Sequence, residues 1–282
     1  MILIADCGST KTDWCAIEGN EVITRITTQG INAMMVSEEE LVKFFDTEVR
    51  PYINNMAIDT VYFYGAGCIG GEVNGRVARA LASCVTGPTV IEVHSDLLAA
   101  ARALCGHEPG IACILGTGSN SCRYDGQEIV EHVSPLGYIL GDEGSGAVLG
   151  RLLLGDVLKG QLPDELCSRF LDTYGLDRDE ILRRVYREPN PARFMASVSG
   201  FLLENIEEPA IHRLVLNEFK AFFVRNIAHY ASYKELPINV VGSIGFHFRD
   251  VLGEAAAAID CHIGTVIAAP MDGLIKYHSS IQ

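Results

Sequence analysis

The sequence predicts an α/β protein of two domains. Short apolar runs of strand length alternate with longer segments of helical periodicity. Each half opens in the same way, with strand, Gly/Ser/Thr turn, strand, turn, strand. The length, 282 residues, exceeds one typical hydrophobic core.

In the first half, Ile2, Leu3, Ile4 and Ala5 read as a buried strand that Asp6 ends. Thr12 to Ile17 resumes a strand pattern, so Cys7 to Lys11 is expected to be a tight hairpin. Gly8 permits a backbone shape closed to other residues. The loop presents N–H groups, the hydroxyls of Ser9 and Thr10, Lys11 near its tip and Asp6 at its base. Such a loop can cradle a phosphate. Asp6 could hold Mg²⁺ through water, because that ion prefers oxygen ligands and keeps part of its hydration shell. An ordinary Gly-Ser hairpin would use the same residues.

The Gly19-Asn20 turn leads into a third strand, Glu21 to Thr28, and a loop from Gln29 to Asn32 follows. Ser37 to Glu40 forms a capping box opening a helix that runs to about Arg50 and ends at Pro51. Val61 to Tyr64 is a strand entering Gly65-Ala66-Gly67, and a helix spans about Glu72 to Cys84. A strand from Thr89 to Val93 ends at His94, Ser95 and Asp96. Asp96 is expected to cap the Ala-rich helix Leu97 to Leu104. The order is βββαβαβα.

The pattern then restarts. Ile111 to Leu115 is apolar, Gly116, Thr117, Gly118 and Ser119 form a loop, and Ser121 to Tyr124 is a strand. Asp125-Gly126 turns the chain into Glu128 to Val133. A Gly-rich stretch, Pro135 to Gly150, opens a helical region reaching about Tyr233; Asp142 there is either a polar site group or the cap of a helix beginning near Gly144. Val240 to Gly245 is a strand with a Gly turn, followed by a helix to Ile259, a strand near Thr265 to Ala268 and a last helix from about Met271. The Cys105 to Gly110 stretch is the best hinge candidate.

Composition bounds function. With 48% hydrophobic and 21% charged residues the chain is globular, and a net charge of −14 argues against a nucleic-acid or anionic-membrane surface. No stretch approaches a transmembrane span, and the first residues read as a core strand rather than a signal peptide. Nine scattered cysteines without a Cys-x-x-Cys pair suit reduced cytoplasmic thiols. The eight histidines show no zinc-binding spacing.

Two Gly/Ser/Thr hairpins in equivalent places could clamp a polyphosphate. A third turn, Gly242-Ser243-Ile244-Gly245, closes a strand and opens a helix, whose N-terminus favours anions. Asp96 is the leading candidate for chemistry, because it stands at the C-terminal end of a strand, where α/β folds place ligands.

These motifs occur in the order found in the sugar-kinase/Hsp70/actin superfamily, whose fold is two ribonuclease H-like (actin-like ATPase) domains with a cleft between them. More narrowly, the chain resembles N-acetylglucosamine kinases and the related ATPases that activate benzoyl-CoA reductase and 2-hydroxyacyl-CoA dehydratases. The resemblance covers nearly the whole chain and is most specific at Gly116-Thr-Gly-Ser-Asn120 and Gly141-Asp-Glu-Gly-Ser145. It implies domains at 1–106, joined by a last helix at about 270–282, and at 107–269. It implies ATP and Mg²⁺, phosphate contacts from Gly8, Ser9, Thr10, Lys11, Gly116, Thr117, Gly118 and Ser119, and adenosine near Gly242, Ser243 and Gly245. It implies Asp96 as base for the 6-hydroxyl of an amino sugar such as N-acetylglucosamine. Sugar contacts are expected from Asn32, Gly65, Asp96, Asn120, Gly137 and Asp142. The chain departs from the pattern at Gly65, Leu136, Ser243 and Met271-Asp272, which bears on the choice of sugar. The rivals are a dehydratase activator, with Cys113 and Cys122 flanking the second loop, and a non-catalytic sugar or nucleotide sensor. The expected partner is a small sugar in the cytoplasm, without nucleic acid or membrane; a homodimer is compatible with the sequence.

Overall fold

A computed structural model describes residues 1–8 and 10–280. Ten strands form two five-stranded sheets. In the first, β1 (Ile2–Cys7), β2 (Lys11–Glu18), β3 (Glu21–Gln29), β4 (Thr60–Gly65) and β5 (Val90–Ser95) lie in the order β3-β2-β1-β4-β5. In the second, β6 (Gly110–Leu115), β7 (Ser119–Tyr124), β8 (Ile129–His132), β9 (Ile238–Val241) and β10 (Ile263–Ile267) lie in the order β10-β9-β6-β7-β8. Read from β8, the second order repeats the first. Each sheet has an antiparallel meander on one side and parallel strands on the other. This is the expected α/β architecture, built twice.

The helices are α1 (Glu38–Phe44), α2 (Arg50–Ile53), α3 (Gly71–Cys84), α4 (Asp96–Cys105), α5 (Gly137–Leu140), α6 (Gly146–Leu158), α7 (Asp164–Tyr174), α8 (Arg178–Tyr186), α9 (Pro191–Ser197), α10 (Ser199–Glu204), α11 (Pro209–Arg225), α12 (Ser243–His247), α13 (Arg249–Ala257) and α14 (Met271–Ser279). Two compact units result. One comprises residues 1–108, 126–128 and 269–282, the other residues 109–125 and 129–268.

Strand alternation sorts the first unit's core into two layers. Leu3, Ala5, Cys7, Trp14 and Ala16 pack with Leu41, Phe45, Val77 and Leu81. Ile2, Ile4, Cys15, Ile17 and Tyr64 pack with Ala99 of α4 and with Met271 and Leu274 of α14. In the second unit, β6 and β9 pack against α6, α11 and α13 through residues such as Leu115, Leu149, Phe219 and Leu252.

Several local expectations are corrected. Asp6 does not end the first strand, which runs to Cys7. The capping box at Ser37 and Glu40 is present, but Pro51 does not stop the helix. A π-helical turn, Phe45–Val49, intervenes, and Pro51 falls in the first turn of α2, where its missing N–H costs little. The helix expected to reach Ile259 breaks at Phe248 into α12 and α13. All nine cysteines are free thiols.

Candidate functional site

Parallel pairing places Cys7, Gly65 and Ser95 side by side at the C-terminal ends of β1, β4 and β5. The chain leaves that edge through Gly8, Ala66 and Asp96, the position where α/β sheets receive ligands. Hydrogen bonds tie the loops together there. Ala66 N donates to Cys7 O (2.8 Å), Ala33 N to Ala66 O (3.0 Å) and Gly30 N to Thr10 O (3.1 Å).

Gly8 closes the hairpin by donating to Lys11 O at 2.9 Å. It does not adopt a left-handed φ, and a Cβ there would only touch Lys11 O at 3.4 Å. The crowded glycine is Gly30, whose Cβ would lie 2.2 Å from Gly8 O, so the hairpin lies directly against a second loop. Thr10 and Lys11 are exposed; Ser9 lies outside the described residues.

Asp96 does not cap its helix. Ser95 does, its hydroxyl accepting from Leu98 N at 3.2 Å. The strand runs two residues further than expected and the helix begins one residue earlier, so Ser95 serves as both strand end and cap. Asp96 becomes the first helical residue, half-buried, in the turn where a negative charge is favoured by the helix dipole.

Asp6 lies opposite Asp13 across the hairpin. Burial, then the charges of Asp13 and Asp96, push the Asp6 carboxyl up to about 7, with Lys11 opposing them. Asp13 accepts from Lys11 Nζ (2.8 Å) and Thr27 Oγ1 (2.7 Å). Burial would raise its pKa, but these hydrogen bonds and the charges of Lys11 and Arg25 outweigh it and hold the carboxyl below its ordinary value. Asp13 was legible: a hairpin that pairs Cys7 with Thr12 must set Asp6 against Asp13. Among the described residues no three His, Cys, Asp or Glu side chains are grouped to hold an ion by themselves. One carboxylate with water and phosphate oxygens suffices for Mg²⁺, and the crowded charge at Asp6 suits a divalent cation.

Asn32 stands on the loop that meets Ala66. Its Oδ1 accepts from Met34 N at 3.1 Å, and Gly67, at φ 78°, backs onto it so closely that a Cβ would lie 2.3 Å from that oxygen. Gly65 is fixed by packing, since a Cβ would meet Phe63 at 2.6 Å and the Cys68 sulfur at 2.8 Å. A serine does not fit there without rearrangement.

In the second unit, the Gly116 to Ser119 loop turns its carbonyls inward. Gly116 N donates to Gly118 O (3.0 Å), while Gly116 O and Thr117 O accept from Gly146 N (2.8 Å) and Ala147 N (3.0 Å) at the start of α6. No protein acceptor is found among the described residues for the N–H groups of Thr117 and Gly118. Asp142 braces the loop. It accepts from the Ser119 N–H, and a Cβ on Gly118 would lie 3.1 Å from its Oδ2. Burial raises the Asp142 carboxyl to about 6, against the Ser119 hydrogen bond. Asp142 holds a left-handed φ of 53°, a strain that surrounding structure must enforce. Glu218 of α11 accepts from Gly144 N–H, and Asn226 Nδ2 donates to Glu143 at 3.3 Å. Asp142 caps nothing; Ser145 caps α6 by accepting from Val148 N at 3.3 Å.

Gly137 follows Leu136 in a left-handed pair, at φ 76° and 62°. Asn120 is less available than expected, because its Oδ1 accepts from Ser121 N (2.9 Å) and lies 2.9 Å from His132 Nε2. Gly242, at φ 125°, packs on Leu115 O, 2.3 Å from where a Cβ would sit, and Gly245 packs on Val240. Ser243 opens α12, a helix of five residues, so the anion-favouring dipole expected there is small. Cys113 and Cys122 are both buried. Their registers, Cys113 with Ser121 and Cys122 with Ala112, put them on opposite faces of the sheet, where they cannot join one cluster.

No protein-family profile and no curated protein matches the chain. Among solved structures, it is similar to the proposed N-acetylglucosamine kinase of Porphyromonas gingivalis, at 49% identity, 99% coverage of both chains and TM-score 0.96. It shares its fold with a proposed N-acetylglucosamine kinase from Chromobacterium violaceum, at 19% identity, 98% coverage of both chains and TM-score 0.74. It also shares the fold of a ROK-family glucokinase from Streptomyces griseus in complex with glucose and AMPPNP, at 13% identity, covering 98% of this chain and 97% of that one, with TM-score 0.57.

Proposed function

The chain belongs to the sugar-kinase family of the proposed N-acetylglucosamine kinase from Porphyromonas gingivalis, and we propose that it transfers the γ-phosphate of ATP to the 6-hydroxyl of N-acetylglucosamine. The observation that ties this kinship to chemistry is Asp96. A carboxylate stands at the C-terminal end of a parallel strand with its capping duty taken by Ser95.

In this mechanism Asp96 orients the sugar hydroxyl and accepts its proton as the oxygen attacks phosphorus. Asn32 has its amide oxygen engaged by Met34 N, so its NH₂ is the end offered to the sugar. Gly65, Gly137 and Asp142 are assigned to the sugar, while Asn120 keeps its amide oxygen for its own strand pair. Thr10, Lys11 and the N–H groups of Thr117 and Gly118 serve the phosphates. Lys11 must exchange Asp13 for phosphate to do so; its own side chain is exposed, and the buried Asp13 carboxylate keeps its hydrogen bond from Thr27. Asp6 would hold Mg²⁺, which when bound neutralises charge on the phosphate oxygens. Gly242, Ser243 and Gly245 are assigned to the adenosine side.

The test is a coupled ADP-release assay with Mg-ATP over a panel of amino and neutral sugars. N-Acetylglucosamine is expected to exceed glucose in kcat/KM by orders of magnitude, because a polar site deprived of its partner discriminates strongly. Equal turnover of glucose would remove the amino-sugar assignment, and ADP release with no sugar would remove the kinase.

A further inference from the structure

The first unit contains a buried polar chain that the mechanism above does not use. Arg102 of α4 donates from Nη1 to the Tyr64 hydroxyl at 2.7 Å, and that hydroxyl lies 2.8 Å from Nε2 of His278 on α14. Tyr64 and His278 are almost wholly buried, at 0% and 1% exposure. Because the Tyr64 oxygen accepts from Arg102, its own hydrogen is directed to Nε2. The imidazole proton then sits on Nδ1, a buried atom with no hydrogen-bond partner. A buried unpaired donor is destabilising, so the arrangement is not what stability alone would favour.

The surroundings fix these groups. Tyr62 stacks on the His278 ring at 3.8 Å between centroids, His94 stacks on Tyr64 at 5.6 Å, and the Arg102 guanidinium lies over the Tyr64 and Tyr277 rings at 5.7 and 5.1 Å. Burial, with the charges of Arg102 and His94, holds the His278 imidazole down at about 3, so it acts as a neutral acceptor. Gly273 of α14 comes so near α4 that a Cβ would lie 2.3 Å from Ala103 O. The network therefore joins three elements: β4, whose Tyr64 is in register with Asp6 and His94; α4, whose first residue is Asp96; and α14.

We propose that Arg102, Tyr64 and His278 are positioning residues for Asp96: they lock α4 against β4 and α14 and thereby fix the carboxylate at the helix start. This rests on the kinase reading. A helix can slide or turn by an ångström without unfolding, and a misplacement of that size can cost about a hundredfold in rate. Close packing in this layer resists such movement, but it carries no directional constraint of its own. The Arg102–Tyr64–His278 chain is directional at both ends.

The test is a mutant cycle on the full chain, read as kcat and as KM for ATP and N-acetylglucosamine. Tyr64→Phe removes one oxygen and keeps the ring. It is expected to lower kcat on the order of tenfold, with KM for ATP unchanged. In an Asp96→Asn background the same change should have no further effect, since the group it positions is gone. His278→Leu should reproduce the loss and His278→Gln, which keeps an acceptor for the Tyr64 hydroxyl, should restore most of it; this pair serves if Tyr64→Phe fails to fold. Wild-type kcat in Tyr64→Phe, or losses that multiply in the Asp96→Asn background, would overturn the inference while leaving the kinase in place. A wild-type protein that phosphorylates no sugar would overturn the kinase reading and the inference with it.

Discussion

Either Ser95 or Asp96 could cap α4, but only the carboxylate of Asp96 could also accept a proton. Both residue types are good N-caps, and the sequence suggests Asp96 because it stands directly before the Ala-rich run from Leu97. The fold decides otherwise: Ser95 is both the last residue of β5, paired with Gly65, and the cap of α4, so strand passes to helix with no residue between. This division predicts opposite phenotypes from adjacent substitutions. Ser95→Ala should lower stability by about 1 kcal/mol, measured by denaturant unfolding. Asp96→Asn should leave stability nearly unchanged, retain ATP binding, and lower kcat at least about a hundredfold, because an amide cannot accept the sugar proton. Near-normal turnover in Asp96→Asn would move the base elsewhere, with Asp142 next in line. Asp6 makes a separate prediction at this scale. Its carboxyl is raised from 3.8 to about 7 by burial and by Asp13 and Asp96. A group raised in the folded state contributes fully below its unfolded pKa, and that contribution is lost as pH rises through the folded value. Without Mg²⁺, Asp6→Asn should therefore raise Tm at pH 8, and the advantage should shrink towards pH 4. An equal Tm gap at both pH values would show that charge at Asp6 is not the cause.

Elements were legible where one local signal governed them. The Ser37–Glu40 capping box, the Gly19-Asn20 turn and the first hairpin follow from short-range chemistry, and each is present. Where two local signals competed, tertiary packing chose. Pro51 marks a helix stop by its missing N–H, yet the π-helical turn before it lets Phe45 and Val49 both stay buried in the core and carries the chain past the proline. The Gly116 to Ser119 loop could be recognised, but its brace could not. Asp142 lies 23 residues after Ser119 in sequence, and only the fold brings the carboxylate to that N–H. The contact gives the loop a specific vulnerability. Gly118→Val places a branched side chain where even a Cβ would sit 3.1 Å from Asp142 Oδ2, so either the loop or the carboxylate must move. ATP affinity should fall at least about tenfold, as expected for loss of one or two charge-assisted hydrogen bonds, with far-UV circular dichroism near wild type. Unchanged ATP affinity in a folded variant would make the loop an ordinary hairpin.

The duplicated architecture was legible because strand, turn and helix periodicities recur in the same order in both halves, and the two sheets carry the same strand order. What periodicity could not supply is the closure of the first unit. Its second core layer is completed by α14, from the far end of the chain: Met271 and Leu274 join Ile2, Ile4, Cys15, Ile17 and Tyr64, and Tyr277 is also buried. Burying a large apolar side chain contributes about 1.5–3 kcal/mol. Met271, Leu274 and Tyr277 together then supply about 4.5–9 kcal/mol, which is comparable with the whole stability of a small domain. Residues 1–108 alone should therefore lack a cooperative unfolding transition and bind a hydrophobic dye through the exposed face of β1, β2 and β4. Attaching residues 269–280 by a flexible linker should restore the transition and abolish dye binding. A cooperative, dye-free fragment 1–108 would show that the first unit holds its sheet without α14, and the long return of the chain would then need a reason other than stability.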